Sequence, residues 1–511
     1  MNMYLCYDLK GIQQYIFQVP KLKCCIGGSR QIDEFDRKEA VAIQVPGCRL
    51  IYTGGGKGAF ACVDEGTMQK AKETLRDKAL AKGLTIRFGF DTDYTKAARE
   101  IRETYVYQPE SLEGHPCRLS GLYPTTERGG VHPLLQERQE KGGEHGMESE
   151  VEKEFLEHLC KECGKKSLQF FYDVDAKDRR FGSAGAKALG NRNRWAVVCM
   201  DGNDMGKQFL AFKAKSPTEA EWGDWLPNMS KSLDECTRKA AKAGMLAVAK
   251  RYLESYKDSE ETITLPLRPL IVGGDDVTVL VGCDYALEFV ETVMRAFEEA
   301  SKAYSELWVG TSGKLTISAG ILYAPVSLPL HSALAYAESL LASAKTHGRA
   351  LNKKRGQEAE CQASPACLDW ESVTEGVLDS PGTRRRRDLM FVDDEMGNTV
   401  ELTQRPYSLE EFKTVEELKL SLSELPRKIQ YEIHPALFGE LAHRLAFYAR
   451  IGKNHPELEG LLLEPVPGIG GKYGDGWSVS EGRQTTKVLD ALNLLQEEYR
   501  MKNPTLNQEE A

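Results

Sequence analysis

The chain reads as an α+β protein: two strand-and-helix units of the same order, followed by a helical tail. Three observations predict this. Apolar, β-branched runs alternate with amphipathic stretches from residue 3 to residue 347, that alternation runs through the same order twice, and from Ser408 onward the hydrophobic period is helical throughout. At 511 residues the chain exceeds what one hydrophobic core can organise, so three or four domains are expected.

In the first unit, residues 3 to 9 form a strand and Gly11 to Phe17 begin a helix. A strand pair then surrounds Tyr52-Thr53-Gly54-Gly55-Gly56-Lys57-Gly58, a charged helix runs from Glu65 to Lys82, and a strand passes through Ile86 to Phe90. The second unit repeats the order: strand 195 to 200, polar helix, strand-turn-strand around Gly273-Gly274, helix 284 to 304, strand 314 to 323, helix 330 to 347. Such a repeat is the mark of a diverged internal duplication. Leu134 to Glu154, dominated by Glu, Lys, Gln and Gly, has little to bury and is expected to be a mobile loop or an exposed helix edge, an insertion and not a core. Lys353 to Pro365 and Ser380 to Asp388 read as soft regions; the four arginines 384 to 387 are expected in a solvated loop, with RNA phosphates or a partner's acidic face as the alternative contact. The tail should hold helices at Ser408 to Leu425, Lys428 to Gly452 and Thr486 to Met501.

Composition excludes some classes. With 67 basic and 76 acidic side chains the formal net charge is -9, which argues against a basic nucleic-acid coat while leaving local grooves open. No apolar run approaches membrane-span length and the N-terminus lacks a secretion-signal pattern, so cytoplasmic residence is the expectation. Thirteen cysteines, an odd number, fall mostly in apolar runs, as at Cys6, Cys62, Cys199 and Cys283, and read as reduced core thiols.

The chemistry is concentrated in Leu270-Ile271-Val272-Gly273-Gly274-Asp275-Asp276-Val277-Thr278-Val279-Leu280, two strands joined by a turn that carries adjacent carboxylates. Trp195 to Met200 is another buried-strand pattern running into Asp201-Gly202-Asn203-Asp204. Were the strands neighbours, Asp201 and Asp275 or Asp276 would share one or two hard divalent cations, Mg²⁺ or Mn²⁺, against nucleotide phosphates, which suggests nucleotidyl transfer. Gly273 and Gly274 let phosphates approach the backbone, while Lys345 and Arg349, at the end of the 330 to 347 helix, supply cations. Gly54-Gly55-Gly56-Lys57 carries no carboxylate, so catalysis is expected in the second unit alone; its spacing also departs from a phosphate loop. Cys160-x-x-Cys163 has zinc half-site spacing, and Cys117 with either His115 or His158 would complete a structural Zn²⁺ site. Neither a Ser-His-Asp arrangement nor a His-Glu-x-x-His motif is evident.

Taken together, Tyr7-Asp8-Leu9-Lys10-Gly11-Ile12-Gln13 with Ile16-Phe17, Gly27 to Arg30, Trp195 to Lys207, Pro266 to Val277, Ser318-Ala319-Gly320, the helix ending at Lys345, and Arg405-Pro406-Tyr407 carry a family resemblance spanning nearly the whole chain. The chain resembles the large, polymerase-like subunit of type III CRISPR effector complexes, a relative of nucleotide cyclase palm domains. The resemblance implies two ferredoxin-like palm domains, a small zinc-binding insertion and a helical C-terminal domain: 1–110 as a non-catalytic first palm, 111–190 as a linker with the zinc site, 191–360 as the catalytic palm, 361–407 as an irregular linker and 408–511 as the helical domain. It also implies that Asp201, Asp275 and Asp276 bind the metal, that Lys345 lies near the phosphates, that ATP is made into cyclic oligoadenylate for antiviral defence, and that guide and target RNA and other effector subunits are partners. A non-catalytic scaffold subunit of such a complex is the alternative. Two departures stand out. Asp201-Gly202-Asn203-Asp204-Met205-Gly206 replaces the family's usual Asp-Gly-Asp-Asn-Met-Gly, and Ser120 stands where a zinc-ligating cysteine is expected. Starting at the first palm, the chain is also expected to lack the N-terminal histidine-aspartate nuclease domain of many relatives.

Overall fold

A computed structural model describes residues 3–19, 21–101, 115–118, 124–125, 130–143, 149–171, 189, 194–254, 262–354, 362–374, 379–392, 399–439, 441–454, 477–480 and 483–502. The first unit is β1 (Met3–Lys10), α1 (Ile12–Phe17), α2 (Leu22–Glu34), β2 (Cys48–Gly54), β3 (Lys57–Cys62), α3 (Glu65–Ala81) and β4 (Thr85–Asp91). Its strands lie in the order β2-β3-β1-β4, antiparallel throughout. β1 shows why a central strand needs apolar residues of both parities. Leu5, Tyr7 and Leu9 enter the core beneath the helices, while Cys6 joins Ala59 and Ala97 on the opposite face, where α4 (Tyr94–Glu100) lies.

After β5 (His115–Pro116), β6 (Pro124–Thr125), α5 (Pro133–Gly143), α6 (Glu150–Cys163) and β7 (Leu168–Phe170), the second unit begins. It comprises β8 (Arg194–Gly202), α7 (Met205–Ala214), α8 (Glu219–Leu253), β9 (Ile263–Leu265), β10 (Leu267–Gly273), β11 (Asp276–Val281), α9 (Ala286–Lys302), β12 (Ile317–Pro325), α10 (Leu330–Lys354) and β13 (Cys367–Ser372). The sheet order is β10-β11-β8-β12-β13-β16, where β16 is Tyr407–Ser408, so its first four strands repeat the connectivity of the first sheet. Residues Trp195 to Met200 of β8 are all buried. Ala196, Val198 and Met200 face the core under α8 and α9, while Trp195, Val197 and Cys199 enter the core that the first unit shares. Full burial of each large apolar side chain contributes roughly 1.5–3 kcal/mol, which fixes the strand's position and with it that of Asp201 near its end.

The remaining elements are α11 (Pro381–Asp388), β14 (Met390–Val392), β15 (Thr399–Glu401), α12 (Leu409–Ser423), α13 (Arg427–Leu437), α14 (Leu441–Asn454), β17 (Trp477–Ser480), β18 (Arg483–Thr486) and α15 (Val488–Lys502). Here several expectations need correction. Lys428 to Gly452 is two helices, broken after Leu437. Residues 384 to 387 are helical, with Ser380 accepting from the Thr383 N–H as N-cap, and Arg385 is buried, forking onto Asp369 at 2.6 and 3.0 Å. Its neighbour in space, Arg405, donates to Asp490 at 2.9 Å. Asp490, fully buried, also accepts from Thr403 Oγ1 (2.7 Å), Gln404 N (2.9 Å) and the Tyr407 hydroxyl (2.6 Å), tying α15 to the edge of the second sheet. A charge run thus contains one buried, fully specific member, which composition alone does not distinguish.

The described part of Leu134 to Glu154 is helical, one of the two expected forms, but it is packed where an exposed edge is expected. α5 crosses α2 so closely that a Cβ on Gly27 would lie 1.9 Å from Arg138 O, and one on Gly142 would lie 1.8 Å from Lys23 O. Arg138 stacks over the Tyr15 ring at 3.5 Å and donates to Tyr15 O at 2.9 Å. Backbone approach through glycine and a buried arginine replace an apolar stripe, so hydrophobic periodicity misses the contact.

Candidate active site

Two strand ends build the site. β11 pairs with β8 so that Asp276 lies directly opposite Asp201, and β10 pairs with β11 so that Gly273 closes the turn against Asp276. Gly274 takes φ 60°, which an L side chain rarely adopts, and this frees position 275 to carry a carboxylate. Gly202 leaves room for it: a Cβ there would lie 3.0 Å from Asp275 Cβ, and the Gly202 N–H donates to Asp275 O at 3.1 Å. Carboxylate oxygens of Asp201, Asp275 and Asp276 consequently lie within 4.8 Å of one another.

Crowding three acids is costly, and the acids show it. Burial, and then the negative charges of Asp201 and Asp276, push the Asp275 carboxyl up to about 7. Asp276 is exposed at the strand end yet recessed among protein atoms, so burial also leads the causes that raise it to about 6, followed by Asp201. Lys345 and Lys57 oppose that rise. Lys345 Nζ bonds the Asp201 carboxylate and donates to Gly202 O at 2.8 Å. Lys57 comes from β3, so the first unit's hairpin tip contributes charge to the second unit's site. Arg349 is exposed, one helical turn beyond Lys345 on α10.

Asp204 turns away from these carboxylates. It takes φ 61° at the start of α7, accepts from the Ser364 N–H at 2.7 Å and pairs with Lys207 at 3.2 Å. Asn203, buried, donates to Thr316 Oγ1 at 2.9 Å and accepts from Ser318 Oγ at 3.0 Å, fastening the end of β8 to its neighbours. The Asn-Asp order therefore places structural partners after Asp201.

Sequence reasoning passed over Asp234 and Thr237 on α8, which grip the turn. Asp234 Oδ1 accepts from the Gly274 N–H at 3.1 Å, and Thr237 Oγ1 donates to Gly274 O at 2.6 Å. No local motif announces a contact between residues 40 positions apart; only a polar pair at helical spacing i, i+3 on a largely buried helix hints at one. Glu338 on α10, raised by its own burial, adds a further negative influence on Asp276.

The zinc expectation does not hold for the described residues. There, the aspartate triad is the one gathering of three or more His, Cys, Asp or Glu close enough to hold a metal. Cys117 packs with Val19, Cys24 and Leu135, while Cys160 and Cys163 lie in the last turn of α6 against the large core, so neither His115 nor His158 completes a set with them. The i, i+3 spacing within a helix aligns both sulfurs on its apolar face instead of forming a knuckle turn. Ser120 lies outside the described residues.

Residues 194–353 match the family model for the Cas10/Cmr2 second palm domain. No curated protein matches the chain. Among solved structures, the Csm1-Csm4 cassette in complex with cA4 aligns at 14% identity with a TM-score of 0.51, covering 97% of this chain and 70% of that one. The cassette in complex with AMPPNP aligns at 17% identity and TM-score 0.39 over 68% of this chain, and Csm1 of T. onnurineus at 16% and 0.39 over 68%. The present chain spans about half the length of these last two, 53% and 52%. The first four strands of the second sheet thus lie in a segment similar to the Cas10/Cmr2 second palm, and none of the helices of the described residues is long and apolar enough to cross a membrane.

Proposed function

We propose that the chain is a metal-dependent nucleotidyltransferase that links ATP into cyclic oligoadenylate, as the palm subunit of an RNA-guided type III CRISPR antiviral assembly. The observation that carries this reading is the convergence of Asp201, Asp275 and Asp276 on adjoining strand ends, within a segment that matches a Cas10/Cmr2 palm. The donor set fits Mg²⁺ or Mn²⁺: three hard carboxylate ligands, two of them raised by burial and then by neighbouring negative charge, which a cation relieves. Such an ion, when bound, supplies Lewis-acid activation of a ribose hydroxyl and neutralises triphosphate charge.

The chain's own residues do the rest. Asp234 and Thr237 hold the Gly273-Gly274 turn so that Asp275 and Asp276 are fixed before any ligand arrives. Lys345 orients the Asp201 carboxylate, and its ammonium would meet phosphate oxygens; Arg349 extends that cationic face. Lys57 brings a cation from the other unit, which supports a nucleotide lying between a catalytic palm at 191–360 and a non-catalytic one at 1–110. The likeness to a Csm1-Csm4 cassette supports partner subunits and an oligoadenylate product here too.

The test is incubation with each nucleoside triphosphate and Mg²⁺ or Mn²⁺, with and without cognate RNA and partner subunits, resolving products by mass spectrometry. Linked adenylates with pyrophosphate from ATP are expected. A stoichiometric ribonucleoprotein that binds the cation yet makes no linked product would overturn the enzymatic reading and leave a scaffold.

A further inference from the structure

Cys48 and Cys62 sit directly opposite each other near the end of the β2–β3 ladder remote from the glycine turn. The Val63 N–H donates to Gly47 O at 2.9 Å, the bond that flanks a cross-strand pair without joining its members. The cysteines therefore occupy a non-hydrogen-bonded position, the closer kind, with Cα atoms about 4.5 Å apart. Disulfides accept that separation. The two Sγ atoms are 3.0 Å apart already. Cys62 is buried at 1% exposure, while Cys48 is partly open to solvent, so one sulfur is reachable and the other waits behind it.

We propose that Cys48 and Cys62 are a redox-active pair that closes into a reversible cross-strand disulfide on meeting a peroxide. The Cys48 thiolate attacks one peroxide oxygen, the O–O bond breaks, and the leaving oxygen departs as water after taking up a proton, leaving Cys48 as the sulfenic acid. Cys62 sulfur then attacks Cys48 sulfur. The S–S bond forms, the S–O bond breaks, and hydroxide leaves with the Cys62 proton as a second water, so two thiols and one hydrogen peroxide give one disulfide and two waters. The direction of attack fits the local chemistry: the Cys62 S–H stabilises the Cys48 thiolate and lowers that thiol, while Cys62 itself is raised. A backbone irregularity between Leu50 and Tyr52 separates this pair from the tip that carries Lys57. A covalent link below it would hold the hairpin's register from the far side.

The experiment oxidises the full chain with hydrogen peroxide, blocks remaining thiols with an alkylating agent, and maps peptides by mass spectrometry without reduction. Peptides containing Cys48 and Cys62 should appear joined, with the loss of two hydrogens and of both alkylation sites together, and dithiothreitol should restore both. Cys48→Ser, a change at a partly exposed position, should remove the link and leave Cys62 reduced. Hydrogen exchange across residues 49 to 61 should slow on oxidation of the wild-type protein and not of this variant. Over-oxidation of Cys48 to sulfinic acid with Cys62 still a thiol would overturn the proposal, as would two intact thiols under peroxide that oxidises the partly exposed Cys160.

Discussion

The hairpin tips of the two sheets follow one plan and end in opposite charge. In the first, Lys57 lies opposite both Gly54 and Asp8; in the second, Asp276 lies opposite both Gly273 and Asp201. Even the ladder irregularity recurs, between Leu50 and Tyr52 and between Pro269 and Ile271, at the same distance before the turn glycine. Each tip is held by an aspartate from the helical segment before it: Gly56 N–H donates to Asp36 at 2.7 Å, and Gly274 N–H to Asp234 at 3.1 Å. The contrast lies in two positions. Gly55 and Gly56 both take positive φ, and a Cβ on Gly56 would lie 2.3 Å from Ile12 Cδ1, so the first turn has no room for a counterpart of Asp275. One backbone thus presents an acid on one side and an amine on the other, and the amine is felt by the acid.

Breaking the acidic tip should have the largest effect. Asp275→Asn with Asp276→Asn should lower the rate of pyrophosphate release from ATP by at least about 10³-fold, because the cation loses charged ligands. Circular dichroism should show an unchanged fold, and the melting temperature without metal should hold or rise slightly, since like-charge repulsion is removed. A fully active double variant would refute the site. Loosening the grip on the turn comes next. Asp234→Ala should raise the Mn²⁺ concentration for half-maximal activity roughly 10- to 100-fold while the fold persists; unchanged metal dependence would reduce Asp234 to a packing role. Removing the basic tip should cost less: Lys57→Ala is expected to raise KM for ATP about tenfold and leave most of kcat. It should also move the Asp276 titration upward, because Lys57 favours the charged form. Abolished turnover in folded Lys57→Ala would make the first unit a catalytic participant.

The smallest effect is a pH dependence. Burial and neighbouring negative charge push Asp275 up to about 7 and Asp276 up to about 6, so Mn²⁺ binding by calorimetry should weaken as pH falls through that interval. Metal-free stability should move the other way. These carboxyls hold protons more tightly folded than unfolded, so their contribution to stability is complete below the ordinary aspartate range, near pH ~4, and is lost as pH rises to about 7. Added Mn²⁺ should cancel that loss.

How much of this was legible depended on whether the signal was local. The strands around Asp201 and Asp275-Asp276 announce themselves through short apolar runs that hold several β-branched residues, and the repeated order of elements is visible without any coordinates. Register is not: that Asp276 falls opposite Asp201 follows from β11 lying between β8 and β10. The Asp234 and Thr237 grip and the charge from Lys57 join elements far apart in sequence, and an aspartate on a helix looks the same whether it caps a distant turn or faces water. The Gly27 and Gly142 crossing was invisible for the converse reason, since what it buries is backbone. Arg385 was misread because a run of four arginines has one average and four different environments.

The knot of charge around Asp490 bears on how the protein is born. Thr403, Gln404, Arg405 and Tyr407 belong to the margin of the second sheet, yet their common acceptor is synthesised more than eighty positions later. The hairpins and their helices can assemble while the chain is still emerging from the ribosome. Arg405, with 1% of its side chain exposed, has Glu371 at 3.6 Å and Asp490 at 2.9 Å, so burying it draws one counter-ion from β13 and the other from α15. Closing the margin of the acidic tip's sheet therefore waits on a helix whose Asp490 follows that margin by more than eighty positions.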